Sequence, residues 1–235
     1  MTRFTALQKR ISFFFCIFIS QLPLTGKAQQ NLFNVPTADI TPENQFFFQQ
    51  QFNIGAEVGN SNTTIDYGLG NNWEVGINLY NVDLYPTNSH HNPFFLLNFQ
   101  KVIDITKSYK VGFGTQTGIT PPVYHPLIEF PSYSYIINAF DSGKWGKFYL
   151  GGYYANKAYV GTRNSLGVKI GIEFPVISGK FHLMGDWITG NNAVGLAVVG
   201  VVLYLPENWQ LSLGAQLPTP ESQNDYGMVF GITKL

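Results

Sequence analysis

The sequence predicts an all-β fold, a transmembrane antiparallel up-and-down β-barrel of about 12 strands, and three observations carry that expectation. Two-residue alternation of apolar and polar side chains recurs in segment after segment, whereas no 3.6-residue period persists. Asp, Glu, Lys and Arg make up only 12% of the 235 residues, about half the ~25% usual for a soluble globular chain. Aromatics reach 16% while mean hydropathy stays at +0.00, so apolar residues must be interleaved with uncharged polar ones. Finally, the connections between alternating segments fall into two sets, short turns and longer loops, in strict succession. The length suits one large β-domain.

The chain opens with the pattern of a cleaved signal peptide over residues 1–28. Arg3, Lys9 and Arg10 precede an apolar run at 11–20, and Gly26-Lys27-Ala28 supplies a small-x-small cleavage site. The run falls well short of the roughly 20 residues that a membrane-spanning helix needs. Cys16 leaves with the peptide, so a disulfide framework, a thiol nucleophile and Cys-ligated metal are excluded from the mature chain. Loss of Arg3, Lys9, Arg10 and Lys27 leaves 10 of the 14 basic residues against 14 acidic ones, a net charge of −4. Nucleic-acid binding normally leaves a basic stripe, and none is present. Residues 29–43 form an N-terminal segment in which Pro36 and Pro42 favour an extended path. It either lies in the periplasm or tucks into the barrel as a plug.

The barrel is expected over 44–235, with strands at 44–58, 61–70, 73–80, 93–104, 109–118, 133–140, 147–154, 166–174, 181–187, 193–205, 209–217 and 226–232. Short turns at 69–72, 104–108, 141–144, 175–179 and 206–208 alternate with loops at 59–60, 81–92, 119–132, 155–163, 189–192 and 218–224. An even strand number with short turns on one rim and loops on the other suits an outer-membrane barrel whose turns face the periplasm. Trp73, Trp145 and Trp209 stand where strands leave short turns and Trp187 near the opposite rim, as two interfacial aromatic belts would place them. Placing Trp73, Val75, Ile77 and Leu79 outward leaves Glu74, Gly76 and Asn78 inward. The segments at 166–174 and 209–217 divide in the same way, with glycine and ionisable residues on the inward face. The apolar run at 193–205 is too short for a membrane helix and reads as a strand apolar on both faces, packed inward against the N-terminal segment or a folded-in loop.

With these residues in view, the chain resembles Gram-negative outer-membrane β-barrels, and the leader ending KAQQ is similar to those of Bacteroidetes. The unit at 65–79 (IDYGLGNNWEVGINL) is similar to the hairpin of small outer-membrane transporter-like families, including the phenol-degradation meta-pathway family. Such barrels usually end in an outward aromatic residue, whereas this chain ends Thr233-Lys234-Leu235.

Three constellations are candidates for function. The expected lumen holds Glu57, Asp66 and Glu74 from early strands, Lys110 and Lys169 from later ones, and Glu173, His182 and Asp186 beyond. Such a set either imposes a transverse field on a pore or forms salt-bridged interior plugs. Inward glycines, among them Gly68, Gly76, Gly171 and Gly214, leave room that would open a twelve-stranded lumen. The proline-rich loop at 118–132 is stiff, and Tyr124, His125 and Phe130 in it are candidates for a constriction at the mouth. The histidines His90, His91, His125 and His182 show no nucleophile motif beside them, so no catalytic residue, metal site or cofactor is expected and the chain is read as a non-enzyme. The leading expectation is a passive channel or transporter for an unknown small solute in the outer membrane, with lipid around it. A lipid-modifying outer-membrane hydrolase and a non-conducting barrel partnered with another envelope protein are the alternatives.

Overall fold

A computed structural model of the protein describes residues 31–56, 58–85, 92–222 and 224–235. The expected signal peptide, Glu57, His90 and His91 lie outside the described residues. The chain forms twelve strands: β1 (Phe46–Gly55), β2 (Gly59–Gly70), β3 (Trp73–Asp83), β4 (Phe94–Asp104), β5 (Tyr109–Ile119) and β6 (Ser132–Asp141) make the first half. The second half is β7 (Lys147–Ala155), β8 (Leu166–Ile177), β9 (Phe181–Ile188), β10 (Leu196–Tyr204), β11 (Trp209–Pro218) and β12 (Gly227–Lys234). Every strand pairs antiparallel with its sequence neighbours, and β12 returns to β1 from Phe48↔Lys234 to Gly55↔Gly227. The expected closed, all-β, up-and-down barrel of twelve strands is therefore present.

Local chemistry sets the turns. Between β2 and β3, Asn71 and Asn72 adopt φ values of 50° and 59°, the left-handed pair that a two-residue type I′ hairpin demands. Two expected strands are shorter than the alternation suggested: 44–58 contracts to β1, and 193–205 to β10. The loop at 155–163 contains a single helical turn, α1 (Lys157–Val160), which periodicity cannot reveal at four residues. The Asn156 side chain accepts the Tyr159 N–H at its start. Trp145 closes a 3-10 turn, Gly143–Trp145, on the short-turn rim just before β7, where it was expected.

The faces divide as the alternation requires. Trp73, Ile77 and Leu79 are exposed while Glu74 and Asn78 are buried, and the same split holds along β8 and β11. Among the outward strand positions the only charged side chains are Lys101 and Lys234, both next to the short-turn rim. Their ammonium groups lie over Trp73 and Trp209, 5.0 and 5.4 Å from the ring centroids. Several polar groups on the outer face pair across strands: Thr63 Oγ1 donates to Gln50 at 2.7 Å, Tyr109 Oη to Asn138 at 2.7 Å, and Thr115 and Ser134 hydroxyls meet at 2.9 Å.

The N-terminal segment runs inside the barrel, as a plug. Leu32, Phe33, Val35 and Ala38 are buried and join Val198, Val202 and Ile137 in one apolar core. The expectation that the apolar β10 packs inward against this segment is realised through Val198 and Phe33. Inward glycines make the room, but the room is occupied. A Cβ at Gly171 would come within 2.2 Å of Leu32 Cδ1, one at Gly214 within 2.8 Å of the Phe33 ring, and one at Gly68 within 2.4 Å of the Thr41 carbonyl oxygen. Glycine thus opens grooves for a segment of the same chain, not a pore through the whole lumen.

Candidate functional site

The lumen has two storeys. Its lower part, toward the short turns, is filled by the N-terminal segment and by the charged groups that hold it. Asp186 on β9 accepts the backbone N–H groups of Asn34 and Val35 at 2.5 and 2.8 Å. Glu74 on β3 accepts both the Thr41 N–H, at 2.7 Å, and the Thr41 hydroxyl, at 2.5 Å. In the other direction Asp39 of the segment receives Lys147 at 2.7 Å and Lys110 at 3.4 Å. Gln100 Nε2 donates to the Thr37 carbonyl at 2.9 Å. A buried carboxylate is stabilised by the donors it accepts, and here the plug supplies donors to one oxygen of each of Asp186 and Glu74.

The remaining predicted lumen residues among the described ones are inward too and meet neighbours in the wall rather than the plug. Asp66 accepts Asn98 at 2.9 Å. Glu173 pairs with His182 Nδ1 at 2.6 Å and accepts the Tyr204 hydroxyl. Lys169, 0% exposed, lies over the faces of Tyr133 and Tyr135 with its Nζ 4.4 and 4.2 Å from the centroids. Acids and bases therefore do not face one another across open space. They are divided among ties to the plug and small clusters in the wall.

The upper part is a cavity of about 840 Å³ beside the long-loop rim, floored by Asn31, Phe33, Asn34 and Pro36. Its chemistry is unlike that of the lower storey. Among the described residues, twelve Asn and Gln side chains line it, against three carboxylates (Asp83, Glu129 and Asp225) and one ammonium, Lys157. On the β1 and β2 wall these carboxamides form a chain: Gln51 Nε2 donates to Asn34 at 3.2 Å and to Asn53 at 3.0 Å, and Asn53 donates to Asn60 at 2.7 Å. Elsewhere around the cavity Phe94, Tyr159 and Tyr133 form an aromatic ledge, with centroids 5.4 Å apart for Phe94 and Tyr159 and 4.9 Å for Tyr159 and Tyr133. α1 sets Tyr159 in place, and its hydroxyl reaches Gln116 at 3.3 Å.

The proline-rich loop only borders this cavity. His125, Leu127 and Glu129 line it, but Tyr124 and Phe130 are exposed outside it, so the expected constriction by these two rings does not form. The loop closes on itself through the Thr120↔Glu129 bridge, and Asn92 holds its tip by accepting the N–H groups of Tyr124 and His125 at 2.8 and 3.0 Å.

Asp39, Lys147, Tyr159 and the carboxamide wall escaped the sequence analysis. The last was within its reach, because Gln49, Gln51 and Asn53 share the inward phase of β1. Attention to ionisable groups hid a wall made of neutral ones. Compared with protein-family models and with curated proteins, the chain finds no match.

Proposed function

We propose that the protein is an outer-membrane barrel that takes a small polar solute into its upper cavity and releases it inward only when the N-terminal plug shifts. The observation that carries this reading is the cavity of about 840 Å³ ending on a floor made by residues 31–36 of the chain itself. A membrane setting is supported by strands of 8 to 12 residues, close to the ~9–11 a tilted strand needs to cross. It is supported also by an outer face whose only strand-borne charges among the described residues sit over Trp at one rim and several of whose polar groups pair with one another, as suits an apolar solvent. The passive channel or transporter expected from the sequence is read here as a gated one, because the N-terminal segment occupies the lower lumen. No catalytic step is part of the proposal: His182 faces the lower lumen against Glu173, and His125 faces the cavity.

Single-channel conductance in planar bilayers tests it. The mature chain should be closed or only briefly open. A chain lacking residues 31–43, or the isosteric pair Glu74→Gln with Asp186→Asn, should open for long periods while keeping the heat-modifiable gel mobility of a folded barrel. A folded barrel of either kind that stays closed rejects transport. It would favour a non-conducting barrel, the reading that the buried ties between wall and plug otherwise support.

A further inference from the structure

We infer that the upper cavity is a binding site for a short neutral oligosaccharide, which deepens the proposed function and rests on its placing of the cavity as the solute's entry. The chemistry of the lining points there. A carboxamide carries two donor hydrogens and two acceptor positions without charge, so a wall of them matches a solute that presents many hydroxyl groups, each both donor and acceptor. The bonds within the chain Gln51–Asn53–Asn60 use one or two of these positions on each group and orient the rest. Asn34 Nδ2, at the floor, is buried and makes no hydrogen bond among the described residues.

The aromatic ledge supplies the complementary half. A pyranose ring has one face of C–H groups, apolar and slightly electropositive, which suits the electron-rich face of a ring. Phe94 and Tyr159 offer such rings bordering the same cavity as the carboxamides, and Tyr133, buried behind, stacks on Tyr159 and holds it in place. A solute lying between ledge and wall would stack on one side and exchange hydrogen bonds on the other.

Charge and size narrow the class. Asp83, Glu129 and Asp225 against the single Lys157 disfavour an acidic sugar. A cavity of about 840 Å³ falls within the ~300–1,000 Å³ usual for small-molecule sites. A peptide would satisfy some of the carboxamides but brings fewer hydroxyl-like groups and no flat C–H face for the ledge.

Calorimetric titration of the detergent-folded mature protein tests this directly. Maltotriose, cellotriose and xylotriose are the neutral probes, with trigalacturonate and trialanine as acidic and peptide controls. At least one neutral trisaccharide should bind, and trigalacturonate and trialanine at least ~10-fold more weakly. Tyr159→Ala, which removes one of the two accessible rings, and Asn60→Asp, which changes charge but not shape, should each weaken that binding ~10-fold or more. Absence of binding by all three neutral probes to the folded barrel overturns the proposal. So does equal binding of trialanine, or binding that ignores both substitutions. The titration needs no open pore, so a trisaccharide that binds a barrel that never conducts would sink transport and leave the ligand class standing, and conductance without binding would do the reverse.

Discussion

At the scale of single residues, the lumen shows how differently a buried charge can be accommodated. Asp186, through Oδ2, and Glu74 accept backbone donors from a segment about 150 and 33 residues away in sequence, each such charge-assisted bond contributing about 1.5–3 kcal/mol. Lys169 is not satisfied in this way. It is fully buried, and its Nζ makes no hydrogen bond among the described residues, resting instead on two tyrosine faces. Stacking of this kind contributes about 2 kcal/mol when desolvated, less than the several kcal/mol that burying an ammonium costs. Lys169→Met keeps the volume and removes the charge, so it should raise the guanidinium midpoint of the folded barrel. An unchanged or lowered midpoint would mean that Lys169 is stabilised by more than the two rings. Lys169 was legible as an inward residue from the alternation of β8. Its tyrosine partners were not, because they come from β6, two strands away beyond β7, and meet Lys169 only across the curved inner face.

At the scale of elements, strands and plug depend on one another. Alternation placed each strand's faces, and the short turn expected at 69–72 is the hairpin in which Asn71 and Asn72 take positive φ. The course of residues 31–43 was open between periplasm and lumen, since a polar, proline-containing stretch has no period to read. What decides its place is a set of grooves spread over distant strands, at Gly68, Gly171 and Gly214. Gly171→Leu therefore should not disturb β8 itself, whose side chain at this position would point into the lumen. It should drive out Leu32, whose Cδ1 lies 2.2 Å from the added Cβ. The expected result is a folded barrel with the lowered unfolding midpoint and the long channel openings of the plug deletion. Retention of wild-type stability and closure would show that the segment tolerates displacement and does not act as a tight plug.

At the scale of the whole molecule, the low charge content becomes a statement about sidedness. The outer face is an apolar band interrupted by a few polar groups, several of them paired across strands, and a band of that extent on a water-soluble monomer would be an association surface. Ile170 lies outward on β8, away from both rims. Ile170→Arg should cost about 2–4 kcal/mol in a lipid bilayer, the figure for a basic side chain near the midplane, and should slow or prevent folding into vesicles. Equal folding yields for Ile170→Arg and the parent chain in phosphatidylcholine vesicles would contradict the membrane assignment.

The sequence by itself determined the fold class, the strand number, the alternation of short turns and long loops, and which face of β3, β8 and β11 meets the interior. All of these are local properties: a two-residue period, a turn residue with positive φ, a run of apolar side chains at every second position. Tertiary structure alone decided that the plug lies within the lower lumen, that Asp186, Glu74, Lys110 and Lys147 serve to hold it, and that Tyr124 and Phe130 stay outside the mouth. Those outcomes depend on which strands become neighbours when the sheet closes and on how much volume the inward side chains leave. Neither quantity is written in any one strand, since lumen space is a sum over all twelve and is sensitive to a single glycine's worth of room.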